Sequence, residues 1–216
     1  MSKSVVVIDY GIGNVFSVCN ALKQSGFEPN LTRNASEILA ADKVILPGVG
    51  AFGRASAALR EYGLDETLRL YIETGRSFLG ICIGMQLLMD VSTEFGENEG
   101  LGFIPGRVER IPGTSKAGET LRVPHISWGE VKSAKGVSQF DWNKTPLANG
   151  GENDSFYFVH SYHAVPADES HLLAVVDYGG HLITAAVKRD NLMGFQFHPE
   201  RSGPAGLKLL ERFVNL

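Results

Sequence analysis

The sequence predicts an α/β fold with a mostly parallel central sheet, flanking helices and an antiparallel β-rich extension. Up to about Val91, short apolar runs alternate with segments of helical periodicity. Such alternation is typical of βα units, which build parallel sheets through right-handed crossovers. From Phe95 onward, glycine, proline and short β-rich runs dominate, as in hairpins that extend a sheet. The closing stretch Pro204–Val214 is amphipathic and predicts a final helix.

The parallel part begins with its clearest element, the near-continuous apolar run Ser4–Asp9, which is typical of a strand covered on both faces. Further strands are predicted at Glu28–Thr32, Lys43–Leu46 and Ser77–Ile81. Helices are predicted at Val15–Gln24, Arg54–Glu61, Leu64–Thr74 and from Ile83 to about Val91. Cys19 is expected in the core, because it shares the apolar pattern of the first helix with Val15, Phe16, Val18 and Leu22.

The second part of the chain is predicted to form strands joined by tight turns. The predicted strands are Arg107–Ile111, Ser127–Lys132, Ser155–Val159, Leu172–Tyr178, Leu182–Lys188 and Leu192–Gln196. Tyr178-Gly179-Gly180-His181 is the clearest turn, because paired glycines accept the positive φ angles of a two-residue hairpin loop. Lys132–Gly151 has the least pattern and is expected to be a surface loop.

The composition limits the classes of function. With 216 residues, the chain is expected to form one domain over residues 1–216. Its net charge of −4 and the lack of a Lys/Arg cluster argue against a nucleic-acid partner. No apolar stretch approaches the roughly 20 residues of a membrane span, and the N-terminus is not signal-like, so we expect neither membrane insertion nor export. Two cysteines make no disulfide framework, and we expect a cytoplasmic protein.

The most informative motif is a cysteine between two glycines at the end of a predicted strand. Cys82 follows Gly80 and precedes Gly84, and the apolar pair Phe78-Leu79 leads into it. This is the cysteine form of a nucleophile elbow, a strand-to-helix turn so tight that glycine must fill the flanking positions. The turn places the thiol over the first amides of the next helix, which favour the reactive thiolate.

A base for this nucleophile is present in the segment Phe195-Gln196-Phe197-His198-Pro199-Glu200. If the segment is extended, His198 and Glu200 point to the same face. Pro199 supports this geometry, because the residue before a proline is pushed away from the helical region. A carboxylate beside an imidazole fixes its tautomer and supports its charged form. The sequence therefore predicts a Cys82–His198–Glu200 triad.

These two motifs resemble those of the class I, triad-type glutamine amidotransferases. The opening segment Val7-Ile8-Asp9-Tyr10-Gly11-Ile12-Gly13-Asn14 and the segment Leu46-Pro47-Gly48-Val49-Gly50-Ala51-Phe52 narrow the resemblance. Both are similar to the branch that supplies the glutaminase subunits of imidazole glycerol phosphate synthase in histidine biosynthesis. The resemblance extends from Val5 to the C-terminal helix and implies the fold of that family.

The resemblance implies that the chain hydrolyses L-glutamine to glutamate and ammonia through a cysteine thioester. In this scheme Cys82 attacks the side-chain amide, His198 serves as general acid and then general base, and Glu200 orients His198. The backbone N–H of Ile83 is expected to stabilise the oxyanion, with a second donor from Val49 or Gly50. No cofactor is expected, and no Cys/His/Asp spacing indicates a metal site.

Further residues are expected to bind glutamine. Gln86 lies four residues after Cys82, on the same helix face, and matches a family position that binds the α-amino or carboxylate group. Gly48 belongs to the oxyanion segment. The segment His160-Ser161-Tyr162 resembles the one that closes over the glutamine backbone. His125 and His163 are expected to be polar loop residues.

A partner is also implied, because ammonia is protonated in water near neutral pH and is then no nucleophile. The resemblance names a (β/α)₈ barrel synthase that receives ammonia through a dry passage and activates the glutaminase. Tyr10 and Asn14 are expected to face that passage, and Asn14 is also a good N-cap for the first helix. Trp128 is expected either at the partner interface or in the core of its strand.

Three alternatives remain at this point. Around Trp128, the sequence has Ile126-Ser127 and Gly129, where the family usually has Met-Gly and Asn. This departure permits a paralogous glutaminase that supplies ammonia for amidino-sugar synthesis in surface polysaccharides. The chain could also be a non-catalytic regulatory relative that binds a partner, but the complete triad argues against that. The third alternative is a cysteine hydrolase or chaperone-like protein of a related α/β fold, against which the opening segment argues.

Overall fold

A computed structural model describes residues 3–134, 140–148 and 154–216. The strands, in chain order, are β1 Val5–Ile8, β2 Pro29–Thr32, β3 Lys43–Gly48, β4 Ser77–Cys82, β5 Val91–Ser92, β6 Asn98–Glu99, β7 Gly106–Arg110, β8 His125–Ser133, β9 Ser155–His160, β10 Tyr162–Pro166, β11 Leu172–Tyr178, β12 His181–Arg189 and β13 Leu192–Phe195. The helices are α1 Val15–Gln24, α2 Ala35–Ala40, α3 Phe52–Glu61, α4 Leu64–Glu73, α5 Ile83–Gln86 and α6 Gly203–Asn215.

The described strands form a nine-stranded mixed sheet and a separate four-stranded sheet. The large sheet has the order β2-β1-β3-β4-β13-β12-β11-β8-β9. Its first five strands are parallel neighbours, and the remaining pairs are antiparallel. The predicted fold class is therefore confirmed, including the parallel sheet and its antiparallel extension.

The parallel half brings three chain segments to one edge of the sheet. Strands β3, β4 and β13 are neighbours, with Gly48 opposite Cys82 and Phe195 opposite Ile81. All three strands run in the same direction, so their carboxyl ends lie side by side. This is the edge where open α/β sheets place their ligand sites.

The helix after β4 is shorter than predicted. It ends at Gln86 rather than near Val91. The carbonyls of residues 87–90 accept hydrogen bonds from N–H groups of residues 100–104, at 2.7 to 3.1 Å. Those carbonyls are therefore not available to the donors that would continue the helix. A segment distant in sequence ends this helix.

The four-stranded sheet corrects a second expectation. Its order is β10-β7-β5-β6, so the strand around Arg107 does not extend the central sheet as predicted. β10 was not predicted as a strand, and it pairs with β7 in antiparallel register. The chain passes from the large sheet to the small one at Ser161, between β9 and β10.

The first helix agrees with its prediction in extent but not in every residue. Cys19 is buried, as expected, together with Val15, Val18 and Leu22. Phe16, placed with this apolar pattern, is instead 74% exposed. Asn14 occupies the N-cap position of α1, as predicted, and its carbonyl accepts from the Val18 N–H at 3.2 Å, but its side chain makes no capping hydrogen bond.

Helix α2 and the short strands β5 and β6 were not predicted, whereas the β11–β12 turn and α6 follow their sequence signals closely. Gly179 and Gly180 have φ angles of 63° and 81°, and they join β11 to β12 as the predicted two-residue turn. The amphipathic α6 buries Leu209, Leu210, Phe213 and Val214. Part of the predicted loop Lys132–Gly151 lies outside the described residues. In the described part of this loop, a short 3₁₀ turn spans Trp142–Lys144.

Candidate active site

Cys82 occupies a strained turn between β4 and α5. Its φ of 56° and ψ of −111° are rare for a residue with a side chain. A Cβ on Gly84 would lie 1.9 Å from the Leu46 carbonyl oxygen, and one on Gly80 would lie 2.4 Å from the Gly84 oxygen. Only glycine fits at these two positions, as the elbow motif predicts. Strain of this kind costs on the order of 1–3 kcal/mol and clusters at functional sites.

His198 and Glu200 meet beside this turn. The Nδ1 atom of His198 lies 2.8 Å from Oε1 of Glu200, and both side chains are almost fully buried. His198 is extended, as expected before a proline, but Pro199–Arg201 form a 3₁₀ turn rather than an extended segment. The predicted pairing therefore occurs in a different local conformation. Two hydrogen bonds hold the turn in place. The His198 N–H donates to the Tyr157 carbonyl at 2.9 Å, and the Ser202 hydroxyl donates to the His198 carbonyl.

The imidazole of His198 interacts with the Cys82 sulfur, and both residues line the same cavity. Nε2 has no hydrogen-bond partner among the described residues, and neither has Oε2 of Glu200. Burial alone would lower the pKa of His198. The interactions with the Cys82 sulfur and the Glu200 carboxylate outweigh burial and raise this pKa to about 10. His198 is thus available in its protonated form near neutral pH.

A cavity of about 290 Å³ opens over the sulfur. Its lining includes Cys82 and His198, together with most residues that the sequence places at the site: Asn14, Val49, Gly50, Ile83, Gln86, His160, Ser161 and Tyr162. Glu94, Pro124, Val159 and Arg201 complete the lining. Gly48 and Tyr10 lie next to this cavity rather than in its wall. The structure therefore brings most of the predicted site residues together around one cavity.

The segment Gly48–Gly50 runs beside the elbow. A Cβ on Gly48 would lie 2.8 Å from both the Gly84 nitrogen and the Ile83 Cβ, so this close approach requires glycine. Gly50 has a φ of 87°, in the region that favours glycine. As the first residue of α5, Ile83 has an N–H with no intrahelical acceptor. These backbone groups border the space above the sulfur.

The buried side chain of Gln86 is held from two sides. Its Nε2 donates to the Tyr162 carbonyl and to Oε1 of Gln196, both at 2.9 Å. Both amide hydrogens of Gln86 are therefore used within the protein. Its oxygen is the polar atom that remains for a ligand in the cavity.

Three further histidines are largely removed from solvent: His125 and His160 are buried, and His163 is half-buried. His160 lines the cavity, and burial lowers its pKa to about 3. Burial also lowers the pKa of His125 and of His163, each to about 4. The expectation that His125 and His163 are polar loop residues is wrong: His125 begins β8 and stacks on Tyr178 with 4.1 Å between ring centroids, and His163 lies in β10.

A family profile described as glutamine amidotransferase class-I matches residues 6–216. The chain belongs to the class-I glutamine amidotransferases. Curated relatives agree across the whole length. Imidazole glycerol phosphate synthase subunit HisH 1 of Legionella pneumophila (strain Lens) is 41% identical over 213 residues, 99% of each chain. Imidazole glycerol phosphate synthase subunit HisH of Zymomonas mobilis is 46% identical over 219 residues, 99% of this chain and 96% of the relative.

A solved structure supports the fold of this amidotransferase. The structure described as PurLQS from Thermotoga maritima matches with a TM-score of 0.72 at 20% identity, covering 100% of this chain and 99% of that one. At this identity the likeness concerns the fold alone.

Tyr10 and Trp128, two of the residues expected at the ammonia passage or the partner interface, lie outside the lining of the cavity, and they differ in exposure. Tyr10 is buried, and its hydroxyl donates to the Pro47 carbonyl at 2.9 Å. Burial, with the Cys82 sulfur as a second cause, raises the pKa of Tyr10, so the hydroxyl stays protonated. Trp128 is 55% exposed in β8, which rules out the alternative that it is a core residue of its strand.

The unusual glycine after Trp128 has a packing explanation. A Cβ on Gly129 would lie 2.7 Å from Cγ2 of Val176 and 3.3 Å from the Phe158 ring. The neighbouring strands leave no room for a larger side chain at this position.

Glu94 and Gln196 are site residues that the sequence analysis missed. Glu94 lines the cavity and accepts from the Phe52 N–H at 2.6 Å. Gln196 donates to the Cys82 sulfur at 3.7 Å. A carboxylate in a turn such as Glu94-Phe95-Gly96 has no local signal of function. Gln196, between two buried phenylalanines, had the signal of a polar residue inside an apolar strand.

Within the described residues, no group of three or more His, Cys, Asp or Glu side chains is arranged to hold a metal ion. In the same part of the chain, no helix is long and apolar enough to cross a membrane.

Proposed function

We propose that this chain is the glutaminase subunit of an imidazole glycerol phosphate synthase. The observation that carries the proposal is the meeting of Cys82 on its strained elbow with the His198–Glu200 pair beside one cavity. A nucleophile, a base and an orienting carboxylate in this arrangement suit acyl transfer. The family and the names of the relatives indicate glutamine as the acyl donor and histidine biosynthesis as the pathway.

Glutamine enters with its side-chain amide over the sulfur. Oε1 of Gln86 and the carboxylate of Glu94 accept hydrogen bonds from its α-ammonium group, because both residues line the cavity and both present acceptors. Ser161 and Tyr162 border the glutamine backbone from the β9–β10 junction, with His160 behind them. Gly48 lets the oxyanion segment approach the elbow closely.

The reaction then proceeds in two halves. The Cys82 thiolate attacks the amide carbon, and the N–H groups of Ile83 and of Val49 or Gly50 stabilise the oxyanion. Protonated His198 gives its proton to the leaving nitrogen, ammonia departs, and a γ-glutamyl thioester remains. His198 next takes a proton from water, whose oxygen attacks the thioester and releases glutamate. Glu200 keeps the imidazole oriented through both halves.

Ammonia leaves toward a synthase subunit with a (β/α)₈ barrel, past Tyr10 and Asn14. The large exposed apolar side chains near this route support the existence of a partner. Phe16 and Ile126 are 74% and 58% exposed, and each lies two residues along the chain from a cavity residue, Asn14 or Pro124. Trp128 adds an aromatic anchor of the kind that dominates interfaces.

The alternatives are less well supported. A non-catalytic relative has no need for the buried His198–Glu200 pair facing a cysteine. The amidino-sugar pathway was suggested by the departures around Trp128, and the packing of Gly129 against Val176 accounts for one of them without a change of partner.

The test is transfer of nitrogen. Glutamine labelled with heavy nitrogen in its side-chain amide is supplied to the chain, alone and with the synthase subunit from the same genome plus its phosphorylated ribulosyl substrate. We expect slow glutamate release alone, faster release with the partner, and label in the imidazole product. Glutamate release without label in that product, or without stimulation by that partner, would contradict the assignment to histidine biosynthesis.

A further inference from the structure

Gln196 is a fully buried polar residue that touches the sulfur without reaching the cavity. It lies between Phe195 and Phe197, and none of the three is exposed. Its Nε2 lies 3.7 Å from Sγ of Cys82, and its Oε1 accepts from Gln86. Gln196 is absent from the lining of the cavity, so substrate does not contact it. Any effect of Gln196 on the reaction must act through Cys82 or Gln86.

The orientation of the Gln196 amide is fixed by chemistry. The Tyr162 carbonyl oxygen can only accept, so the atom of Gln86 that faces it at 2.9 Å must be the NH₂ group. The same NH₂ group faces Gln196 at 2.9 Å, so Gln196 must present its oxygen there. The remaining NH₂ group of Gln196 then points at the sulfur.

A chain of hydrogen bonds continues beyond the Tyr162 carbonyl. This oxygen also accepts from Nδ1–H of His160 at 2.9 Å, which leaves Nε2 of His160 as an acceptor. His125 donates to it from Nδ1 at 3.2 Å and accepts from the Ser127 hydroxyl at 2.6 Å. Every donor direction in the chain is therefore determined, provided that both histidines are neutral, as their burial requires.

An N–H aimed at a thiolate has two consequences. It favours the charged sulfur over the neutral thiol, because a hydrogen bond to the charged form stabilises that form. It also restricts rotation of the Cys82 side chain, because the hydrogen bond from Gln196 is lost when the sulfur turns away. Because the supporting amide of Gln86 is itself held from two sides, Gln196 cannot follow such a rotation.

We infer that Gln196 is a positioning residue, which orients the Cys82 sulfur through an N–H···S hydrogen bond. Gln86, the Tyr162 carbonyl and His160 hold the Gln196 amide in that orientation. The inference rests on the proposed function, in which Cys82 is the nucleophile.

Two variants of Gln196 separate its roles. Gln196→Glu keeps the shape and the oxygen that accepts from Gln86, but it replaces the donor that faces the sulfur with a charged carboxylate oxygen. Gln196→Met keeps the approximate volume and removes both polar contacts. Gln24→Glu is the matched control, because it makes the same chemical change on the exposed surface of α1. Each variant is assayed for glutamate release with the synthase subunit present.

We expect Gln196→Glu to lower kcat by about 10- to 150-fold, as for loss of a hydrogen bond to a charged group. KM should change by less than about threefold, because Gln196 does not contact glutamine. A residue with a purely structural role would not produce this separation of kcat from KM.

Alkylation by iodoacetamide provides a readout that needs neither glutamine nor a partner. The thiolate is the reacting species, so both Gln196 variants should slow alkylation of Cys82. Peptide mass spectrometry separates Cys82 from Cys19, whose alkylation should not change. The control Gln24→Glu should match the wild type in both assays.

The outcomes distinguish this inference from the proposed function. If wild type hydrolyses glutamine and both Gln196 variants keep kcat and alkylation within about twofold, the positioning role is wrong and the function stands. If wild type releases no glutamate even with the partner, the proposed function fails, and the alkylation rates alone decide the positioning role.

A further variant tests the same hydrogen bonds if the Gln196 variants do not fold. Gln86→Leu removes the donor that holds the Gln196 amide, together with the bond to the Tyr162 carbonyl, and leaves Gln196 in place. We expect it to slow Cys82 alkylation, although iodoacetamide does not use the glutamine contacts of Gln86. An unchanged alkylation rate in Gln86→Leu would contradict the supporting role of Gln86.

Discussion

At the catalytic centre, His198 and Glu200 contribute unequally. His198→Ala removes the group that moves protons in both halves of the reaction, and kcat should fall by about 10³-fold or more. Glu200→Gln keeps an amide oxygen that can accept from Nδ1–H and leaves the imidazole in place, so its loss should be smaller than that of His198→Ala. Glutamate release by both variants in complex with the synthase subunit measures the two losses. The reverse order would show that Glu200 is not merely the orienting residue.

The buried histidines predict how stability depends on pH. His160 has a native pKa of about 3, below the ordinary value of about 6.5 for an unfolded chain. Between these values the unfolded state binds more protons, so the free energy of unfolding falls as pH falls below 6.5. From pH 6.5 to pH 5, His160 alone should account for about 2 kcal/mol. His198 acts in the opposite sense: its contribution is complete below about 6.5 and is lost as pH rises through about 10.

Denaturant unfolding at several pH values measures this dependence. His160→Gln should have a shallower decline between pH 6.5 and pH 5 than wild type, whatever its stability at pH 7. Parallel declines in the two proteins would show that His160 accepts a proton in the native state.

For single residues, the sequence predicted the catalytic residues better than it predicted burial and contacts. Cys82, His198 and Glu200 could be found because the elbow and the proline are local patterns. Glu94 and Gln196 could not be placed, because their partners Phe52 and Gln86 are distant in sequence. Phe16 was assigned to the core because helical periodicity does not show how wide the buried face of a helix is. His125 was assigned to a loop, although it begins β8.

At the scale of elements, the elbow depends on two glycines that pack against neighbouring backbone. Gly84→Ala places a Cβ 1.9 Å from the Leu46 oxygen, at the junction of β3 with α5. We expect a loss of about 3 kcal/mol or more in the free energy of unfolding, because backbone rather than a flexible side chain must move. Thermal and denaturant unfolding measure this loss.

Gly113→Ala is the matched control for this prediction. An added Cβ there meets no atom within 4 Å, and Gly113 has no positive φ. Its stability should stay within about 0.5 kcal/mol of wild type. Equal stability of the two variants would contradict the account of the elbow.

Most elements with local signals were predicted, and those shaped by distant segments were not. The β11–β12 hairpin follows from its two glycines. α2 was missed although its signal is present: the Asn34 side chain accepts from the N–H groups of Ser36 and Glu37 and caps the helix. The end of α5 had no such signal, because it depends on the N–H groups of residues 100–104, which donate to the carbonyls of residues 87–90. The separate four-stranded sheet likewise depends on pairings between distant strands.

At the scale of the whole molecule, we propose that the exposed apolar residues Phe16, Ile126 and Trp128 mark the face that meets the partner. Trp128→Ala should weaken binding of the synthase subunit by about 2 kcal/mol or more, as for an aromatic anchor at an interface. Stability of the isolated chain should change little, because half of the indole is exposed. Titration calorimetry measures the affinity.

Leu70→Ala is the control for Trp128→Ala. Leu70 is also a partly exposed apolar residue, but it lies in α4, which contributes nothing to the cavity. Its affinity for the partner should equal that of wild type. Loss of binding in Leu70→Ala, or none in Trp128→Ala, would place the interface elsewhere.

The central claim is that the sulfur of residue 82 performs the hydrolysis. Glutamate release by Cys82→Ala in complex with the synthase subunit tests it most directly, with Cys19→Ala as the control for loss of a buried cysteine. The account predicts that Cys82→Ala loses at least about 10³-fold in kcat while binding the partner normally, and that Cys19→Ala keeps its activity. Turnover by Cys82→Ala near the wild-type rate would contradict it.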